Sequence, residues 1–526
     1  MKTSDNNKTL QDFARAMQAT GFALYRVGGC VRDKLLGLPQ HDVDVTGAML
    51  PDAVLALCAA QGIKAVPINE RLGTVELHLC SESVNTVELQ LNSERPDTAE
   101  LRPRGTTEQH LCAECMNTAE LRLSGERVGT AEIHPSDKCM DTAELHQNAE
   151  RAGTTELHQN AERVEYTTFR TESYGTGGTH SPAEVAFTTS LEADAFRRDF
   201  SVNALYEDVL TGEILDPTGG RADLARRVLR TTTADPALIL RDDGLRILRL
   251  VRFCAQLDFT PEERTWAAAK QHAPLLADIA RERKRQELSR ILLGERVLTG
   301  LRLLRDVGAL PYVLPELAAA ENFPQNPQYH KYDVLEHSFH TCAAIAPALP
   351  LRLIALLHDV GKPASFTENG NMHEHPRIGE GLCRTALTRL TYEKELIERV
   401  CFAVAHHMFD LNAQAKITTV RRRFALWGRE SAKDFIAMRQ ADVRGSGRDT
   451  NFCAARWQTI LDDMEAEQTP FSPNELALSG RDIMEALHLP PGKEIGQIKE
   501  RLFLHCAARP ADNTREKLLG LLTDAR

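Results

Sequence analysis

The sequence lacks the features of a membrane or exported protein. No run of eighteen apolar residues occurs, so no transmembrane helix is predicted. The first ten residues are polar and contain no hydrophobic signal-peptide region. These absences predict a cytoplasmic protein that has no membrane partner.

Cysteine is also scarce, because only twelve cysteines are spread irregularly over 526 residues. A disulfide framework is therefore not expected, and structural thiols are favoured. Cys112 and Cys115 form a single CxxC pair with no second pair near it, which disfavours a zinc site there.

The composition is that of a soluble globular protein, with 42% hydrophobic and 26% charged residues. The length exceeds what one core usually organises, so two to four domains are expected. The net charge of −11 disfavours an RNA partner at first sight, since phosphate contacts need Lys and Arg. Residues 74–163, however, hold 17 acidic and 8 basic residues, a net charge of −9, which leaves −2 for the rest. The overall charge is therefore weak evidence against RNA.

Residues 74–163 contain an internal repeat of the form Thr-(Val/Ala)-Glu-(Leu/Ile), in which most copies are twelve residues apart. Copies begin at Thr74, Thr86, Thr98, Thr118, Thr130 and Thr142, with variants at Thr106 and Thr154. Each copy offers only about two or three apolar side chains, which favours disorder or loose hairpins. A small solenoid of stacked strands is the alternative. Because the last copy runs into a predicted strand at 164–170, the repeat is interpreted as an insertion.

The segments around the repeat show a change in periodicity. Before it, the pattern predicts a helix at about 8–20, a strand at 22–27, a glycine turn with a helix, and a strand near 42–45. After Asp216, Leu, Ile and Ala recur at three- and four-residue spacing, which predicts an almost uninterrupted series of helices.

The first chemical motif is a glycine turn followed by two carboxylates. Gly28 and Gly29 lie between a strand and a helix, where backbone amides can approach a phosphate. Asp42 and Asp44 alternate along a strand, so both carboxylates should point to one face. Two such carboxylates repel each other, and divalent cations that relieve the repulsion can align a 3′-hydroxyl with an α-phosphate. A solvated edge strand is the alternative, which the glycine turn disfavours.

Two later segments contain candidate nucleotide contacts. In Arg197–Leu205, two arginines and an aspartate flank an apolar run, which suits a triphosphate and ribose or a surface ion pair. Asp243 and Arg246 are three residues apart and share a helix face. Arginine can donate to the ring nitrogen of cytosine or adenine while a carboxylate accepts from the exocyclic amino group, and uracil and guanine present the opposite pattern. The pair can therefore select C and A without a template, unless it is only a surface salt bridge.

These motifs occur in a specific order along the chain. The order is Gly28-Gly29 with Val31-Arg32-Asp33, Asp42-Val43-Asp44, Arg197–Leu205, Asp216-Pro217 with Gly219-Gly220, Arg241–Arg249, and Arg283 with Glu287-Leu288. It resembles class II tRNA nucleotidyltransferases, the CCA-adding enzymes, and their sister bacterial poly(A) polymerases. The resemblance covers nearly the whole chain outside the repeat.

The resemblance implies an α+β fold with a small mixed-sheet, polymerase-β-like head at 1–215, which the repeat interrupts. A helical neck that selects the base and binds RNA would follow at 216–325, then a body at 326–450 and a tail at 451–526. The resemblance assigns Asp42 and Asp44 as catalytic residues that hold Mg²⁺. The implied nucleotide-binding residues are Gly28, Gly29, Arg32, Arg198, Asp199, Asn203, Asp243, Arg246 and Arg249. The implied reaction adds CMP and AMP, from CTP and ATP, to the 3′ end of tRNA.

Three departures from the family pattern bear on that reaction. Asp242 stands where the family usually has Glu, and Gly244 replaces a usual Pro, which loosens the start of the base-selecting helix. The loop at 174–182 lacks the basic pair that normally precedes its proline, Pro182. Because this loop is associated in the family with the change from C to A addition, its altered sequence favours CMP addition over addition of the final A.

A second set of candidate ligands lies in the body. His337, His358, Asp359 and Asp442 resemble the His-Asp (HD) phosphohydrolase domain, a helical metal-dependent fold. His375, with His406 or His407, could complete a second metal site, and ordinary surface histidines are the alternative. The implied chemistry is hydrolysis of phosphomonoesters or cyclic phosphodiesters by a divalent metal whose identity stays open.

Several other functions compete with complete CCA addition. A CC-adding or A-adding specialist would use the same motifs, and a poly(A) polymerase would differ in its stopping rule. Poly(A) polymerases often carry a long basic tail, whereas this chain ends without one. A phosphohydrolase that uses its head only to bind RNA would require a disrupted Asp42/Asp44 or Asp243/Arg246 pair, and both pairs are intact.

Overall fold

The computed structural model describes residues 9–39, 43–80, 119–123, 126–131, 161–174, 182–328, 331–447 and 452–523. The chain divides into two compact units, which are Met1–Ser173 with Glu184–Leu224, and Tyr174–Ala183 with Ala225–Arg526. Within the described residues, no helix has both the length and the apolar character required to cross a bilayer.

The first unit is built on a mixed β-sheet. Its strands are β1 (Tyr25–Val27), β2 (Asp44–Gly47), β3 (Lys64–Asn69), β4 (Thr74–Cys80), β5 (Ala119–Leu123), β6 (Glu126–Ala131), β7 (Ala161–Thr168), β8 (Arg170–Ser173), β9 (Glu184–Phe187), β10 (Tyr206–Asp208) and β11 (Ile214–Leu215). Seven of them form one sheet in the order β11-β10-β1-β2-β7-β4-β3. Strands β2 and β7 are parallel, and the other neighbours are antiparallel.

One face of this sheet carries the core of the first unit. The helices are α1 (Leu10–Ala19), α2 (Gly29–Leu36), α3 (Pro51–Gln61), α4 (Leu191–Phe196) and α5 (Gly220–Arg226). Apolar side chains of α1 and α3, such as Phe13 and Val54, cluster with Val75 and Tyr166 of the sheet. Helix α1 begins at a capping box, in which the Thr9 side chain accepts a bond from the Asp12 amide. Since side chains alternate along a strand, the residues between the buried ones point to the opposite face.

The first copy of the repeat belongs to the sheet. Strand β4 starts at Thr74 and pairs with β7 from Thr74↔Thr167 to Cys80↔Ala161. The prediction that the insertion begins at about residue 74 therefore placed its start too early, because Val75, Leu77 and Leu79 are buried core residues. The copy that begins at Thr118, with the first two residues of the next copy, contributes β5 and β6, which form an antiparallel hairpin. The rest of residues 81–160, with Cys112 and Cys115, lies outside the described residues.

The second unit is almost entirely helical. Its helices are α6 (Pro236–Asp242), α7 (Leu245–Leu257), α8 (Glu263–His272), α9 (Arg281–Leu293), α10 (Val297–Asp306), α11 (Leu310–Val313), α12 (Pro315–Ala318), α13 (Val334–Ala344), α14 (Leu349–Leu357), α15 (Lys362–Asn369), α16 (His375–Arg389), α17 (Lys394–His406), α18 (Ile417–Trp427), α19 (Arg429–Gly445), α20 (Phe452–Ala466), α21 (Gly480–Leu487), α22 (Lys493–Ala508) and α23 (Arg515–Thr523). Two short strands, β12 (Val228–Leu229) and β13 (Thr260–Pro261), pair in parallel. A mixed sheet followed by helices confirms the predicted α+β fold class.

Candidate functional sites

The glycine turn of the first unit adopts a backbone conformation that other residues rarely adopt. Gly28 has φ +81° and ψ −131°, and it directly precedes α2. A Cβ at this position would lie 3.9 Å from both Arg198 Nη1 and the Asn203 carbonyl oxygen. The turn therefore lies directly against the Arg197–Leu205 segment. Two motifs that are far apart in the sequence thus contribute to one site.

A chain of hydrogen bonds joins the predicted nucleotide contacts. Arg32 Nη1 donates to Asn203 Oδ1 at 2.6 Å, while Arg32 Nε donates to Asp33 at 2.8 Å. Asn203 Nδ2 in turn donates to Asp199 Oδ1 at 3.3 Å. Arg32, Asp199 and Asn203 are all buried. The structure therefore brings together three of the residues predicted to bind the nucleotide.

Arg198 is held by two residues that the sequence analysis missed. Its Nε donates to the Tyr206 hydroxyl at 2.9 Å, and its Nη2 lies 3.0 Å from Asp194 Oδ2. Burial would raise the pKa of Asp194, but Arg198 and Arg197 beside it lower that pKa to about 2. Asp194 is thus an ionised anchor for both arginines. The sequence could have indicated this partner, because Asp194 stands four residues before Arg198, a spacing that brings side chains together on one helix face.

Three carboxylates lie in one row on the face of the sheet opposite the core. Asp44 is directly opposite Glu165 on β7, and Glu165 is opposite Glu76 on β4. Burial, and then the negative charge of Asp44, raise the pKa of Glu165. Asp42 lies outside the described residues. The row concentrates negative charge, which a divalent cation would neutralise, so its donor set fits such an ion.

The predicted base-selecting residues lie at the junction of α6 and α7. The Asp243 carboxylate accepts from the Leu245 amide at 3.0 Å and from Arg283 Nη2 at 2.9 Å. Arg246 Nη1 donates to the Ile239 carbonyl oxygen at 2.9 Å. Both side chains are buried, which disfavours the interpretation as a surface salt bridge. Arg249 lies on the same helix, 5.3 Å from the Phe253 ring centroid.

Four candidate metal ligands converge in the helical unit. His337 Nε2 lies 3.1 Å from Asp442 Oδ1, and His358 Nε2 lies 3.1 Å from Asp359 Oδ2. They come from three separate parts of the chain, since His337 lies in α13, His358 and Asp359 directly follow α14, and Asp442 lies in α19. Burial would raise the pKa of Asp359, yet His358 and Lys362 hold it well below its usual range. His337, His358 and Asp442 have ligand atoms close enough to hold one ion.

A second group of ligands lies on the other side of Asp359. His375 Nε2 and His407 Nε2 lie 3.3 and 3.6 Å from Asp359 Oδ1, and these three residues could also hold an ion. Of the two adjacent histidines that the sequence left open, His407 lies in this cluster. His406 instead packs on Phe402 and Trp427, and its Nδ1 contacts the Phe402 carbonyl oxygen.

The ring orientations fit metal ligation at Nε2. His358, His375 and His407 each place Nδ1 within hydrogen-bond distance of a backbone carbonyl three residues earlier, at 2.9, 2.6 and 2.7 Å. A carbonyl oxygen can only accept, so a neutral ring carries its proton on Nδ1 and turns the Nε2 lone pair inwards. Carbonyl groups in this position commonly orient metal-binding histidines.

Comparison with known proteins identifies the family. The Poly A polymerase head domain matches residues 24–122 and 125–230, the Probable RNA and SrmB- binding site of polymerase A matches 258–321, and the HD domain matches 334–444. An A-adding tRNA nucleotidyltransferase of Deinococcus radiodurans is 34% identical over 60% of this chain and 76% of its own length. A CC-adding tRNA nucleotidyltransferase of Thermus thermophilus is 35% identical over 63% and 77%. This chain belongs to the tRNA nucleotidyltransferase family.

The fold of this nucleotidyltransferase is also that of a solved relative. The CCA-adding enzyme of Bacillus stearothermophilus, solved in complex with CTP, superposes with a TM-score of 0.63 at 22% identity. The match covers 100% of this chain and 98% of the other. Nucleotidyltransferase heads and HD domains generally use divalent metal ions, and the HD domain contains two groups of ligands close enough to hold them.

Proposed function

We propose that this tRNA nucleotidyltransferase adds CMP and AMP, taken from CTP and ATP, to the 3′ end of tRNA without a nucleic-acid template. The observation that carries the proposal is the row of carboxylates at Asp44 beside the glycine turn and its hydrogen-bonded nucleotide contacts. Two of its relatives are an A-adding and a CC-adding enzyme, so both halves of the reaction occur within the family. We assign Asp42, the first aspartate of the Asp42-Val43-Asp44 motif, to the same metal site, and we assign Mg²⁺ as the ion.

In the proposed reaction, a bond forms between the tRNA 3′-oxygen and the α-phosphorus, and the bond to pyrophosphate breaks. Divalent ions would align these groups and stabilise the developing charge. Asp44 with Asp42 would hold the ions, and Glu165 would add its charge to the same row. Arg32 and Arg198 would meet the anionic nucleotide, because their partners keep them oriented towards the glycine turn.

Selection of the base is assigned to Asp243 and Arg246. The Asp243 carboxylate would accept from the exocyclic amino group, while Arg246 would donate to the ring nitrogen. Arg283 keeps Asp243 oriented, and Arg246 would exchange its bond to the Ile239 carbonyl for the base. Uracil and guanine would leave these buried groups unpaired, which costs binding free energy. In this proposed division of the chain, residues 1–215 catalyse the nucleotide transfer and residues 216–325 select the base.

The test is incorporation of labelled CTP and ATP, with Mg²⁺, on tRNAs that end before C, CC or CCA. Growth to CCA followed by a stop is expected, and Asp44→Asn should abolish it. A stop at CC would mean that the altered loop at 174–182 removes the final step. Addition of A only to tRNA ending in CC would identify an A-adding specialist, and long A tails a poly(A) polymerase.

A second function is proposed for the HD site. His337, His358, Asp359 and Asp442 would bind a divalent ion that activates water for attack on a phosphate ester. Water would add to phosphorus, and the ester oxygen would leave as an alcohol with a proton. Asp359→Ala should abolish release of phosphate from RNA ends while CMP addition stays intact. Equal phosphatase activity in variant and wild type would reject this function.

A further inference from the structure

A row of basic side chains lies beside the carboxylate row of the head. Arg163 of β7 is directly opposite His78 of β4, and His78 is opposite Lys64 of β3. Arg163 and His78 stand two positions along their strands from Glu165 and Glu76, so they point to the same face, about 7 Å away. Arg163 and Lys64 are exposed and positively charged. This basic row, Arg163, His78 and Lys64, therefore runs parallel to the carboxylates.

The opposite flank of the carboxylate row is neutral and covered. Thr46, Thr167 and Thr74 form the row on that side, in register across β2, β7 and β4. Thr46 and Thr74 are buried, and Thr46 Oγ1 donates to the Thr167 carbonyl oxygen at 2.6 Å. A polyanion that reaches the carboxylates therefore meets a covered, uncharged surface on one side and an open, positively charged surface on the other.

The geometry of the proposed transfer fixes the side from which the RNA arrives. Gly28 directly follows β1, and Arg198 donates to Tyr206 on β10. In the order of the sheet, these strands lie on one side of Asp44, whereas Glu165 and the basic row lie on the other. In an in-line displacement, the attacking oxygen and the leaving pyrophosphate occupy opposite sides of the α-phosphorus. A triphosphate held at the glycine turn therefore places the attacking 3′-hydroxyl on the side of β7 and β4.

We propose that Arg163 and Lys64 bind phosphodiester groups of the RNA strand whose 3′-hydroxyl is extended. The inference rests on the proposed nucleotidyl transfer, and it names a contact surface for the substrate strand within the head. His78 lies between them with its Nε2 2.9 Å from Glu76 Oε1, which joins the basic row to the carboxylate row.

The spacing and chemistry of the row suit a strand that grows. Arg163 and Lys64 flank β4 on its two neighbouring strands, so their backbones are about 10 Å apart and their side chains can contact different phosphate groups. Contacts to phosphate respond to charge and carry no base specificity. They therefore tolerate a 3′ end whose sequence changes with each added nucleotide, while base selection takes place elsewhere.

Steady-state kinetics of CMP incorporation by the full-length protein test this contact. With tRNA that ends before C, Arg163→Gln and Lys64→Gln should each raise the KM for tRNA about fivefold and weaken its dependence on salt. The KM for CTP and kcat should stay nearly unchanged, and Arg163→Lys should largely restore the KM for tRNA. Arg15→Gln is the matched control, because this exposed arginine belongs to α1, which packs on the opposite face of the sheet.

Uncharged linkages in the RNA identify the phosphate groups that are contacted. One of the last three phosphodiesters at a time is replaced by a methylphosphonate, and binding is measured with a 3′-deoxy end that prevents transfer. At least one replacement should weaken binding to the wild-type protein about fivefold. The same replacement should have little effect on the Arg163→Gln/Lys64→Gln double variant, because the contacting charges are gone. Full losses at every linkage in both proteins would overturn the proposal.

Two kinetic results would also reject the RNA contact. One is an unchanged KM for tRNA in the double variant. The other is a raised KM for CTP with an unchanged KM for tRNA, which would assign the basic row to the triphosphate. Absence of CMP incorporation by the wild-type protein would instead refute the proposed transfer reaction. Binding of the 3′-deoxy RNA would still decide whether Arg163 and Lys64 contact its phosphates.

Discussion

The important side chains of these sites are positioned by charged and polar partners, some close in sequence and some distant. Arg283 holds Asp243 from a helix forty residues later, while Asp194 and Tyr206 hold Arg198. A side chain fixed by charged hydrogen bonds presents its remaining lone pairs or protons in one direction. Substitution of the partner should therefore alter specificity or stability even though the partner need not touch substrate.

Arg283→Ala tests this at the base-selecting residue. With its bidentate partner removed, the Asp243 carboxylate is no longer oriented, and a charged hydrogen bond of this kind contributes about 1.5–3 kcal/mol. We expect kcat/KM for CTP to fall about tenfold or more, and the preference for CTP over UTP to fall with it. Arg290→Ala on the exposed side of the same helix is the control. An unchanged CTP/UTP ratio in Arg283→Ala would contradict the positioning role.

Asp194→Asn tests the buried anchor of the head. The folded-state pKa of about 2 lies below the ordinary value of 3.8. The ionised carboxylate therefore stabilises the fold fully at pH values above 3.8. This contribution, about 2 kcal/mol, is lost as pH falls through the folded pKa. The difference in opening free energy between wild type and variant, measured by hydrogen exchange of β10, should therefore shrink between pH 5 and pH 2. Glu213→Gln in the adjacent exposed turn should show no such change, and a pH-independent Asp194→Asn difference would reject the argument.

Among the secondary-structure elements, the pair α16 and α17 determines the second metal group. His375 begins α16, and His407 immediately follows α17. The ligands meet because the turn at Gly361 and helix α16 at Gly379 contain glycine where these elements approach their neighbours most closely. The packing of α16 and α17 against their neighbours, and not the helical propensity of their residues, should then control metal binding.

Gly361→Ala should disrupt this packing. The new methyl group would overlap the His375 carbonyl oxygen, and crowding of this kind costs about 1–3 kcal/mol. We expect a lower melting temperature for the helical unit and weaker Mn²⁺ binding. Gly381→Ala within α16 is a matched control, because a Cβ there meets nothing within 4 Å and alanine favours a helix by about 0.5–1 kcal/mol. Similar melting temperatures for the two variants would show that Gly361 packing is unimportant.

At the scale of the whole molecule, the copies of the repeat after the first interrupt a sheet whose strands pair completely without them. Strands β4 and β7 are directly opposite each other up to Cys80↔Ala161. Antiparallel strands that end in register can be joined by a two-residue turn. Most of the repeat is therefore dispensable for the sheet, whereas its first copy is not.

Replacing residues 81–160 with Asn-Gly should leave CMP incorporation and the melting temperature nearly unchanged. Replacing 74–160 should instead unfold the head, because it removes the buried side chains of β4. Primer-extension assays and calorimetry on both proteins check these outcomes. A large loss of activity in the shorter deletion would show that the repeat contributes to function.

The sequence alone determined the features that depend on neighbouring residues. The positive-φ turn at Gly28, the strand containing Asp44 and the helical second half follow from local periodicity and backbone preference. The confirmed α+β fold class and family also rested on such motifs and their order. Asp42, Cys112, Cys115 and most of the loop at 174–182 lie outside the described residues, and their roles stay predictions.

Tertiary structure decided which distant side chains meet. Glu165 joins Asp44 because β2 and β7 pair in one register across the repeat, a pairing that no local pattern encodes. His407 rather than His406 faces Asp359, because successive residues at a helix end point in different directions and only packing selects one. Local interactions specify the elements, but the contacts of a site arise from the register and packing between elements that the chain separates.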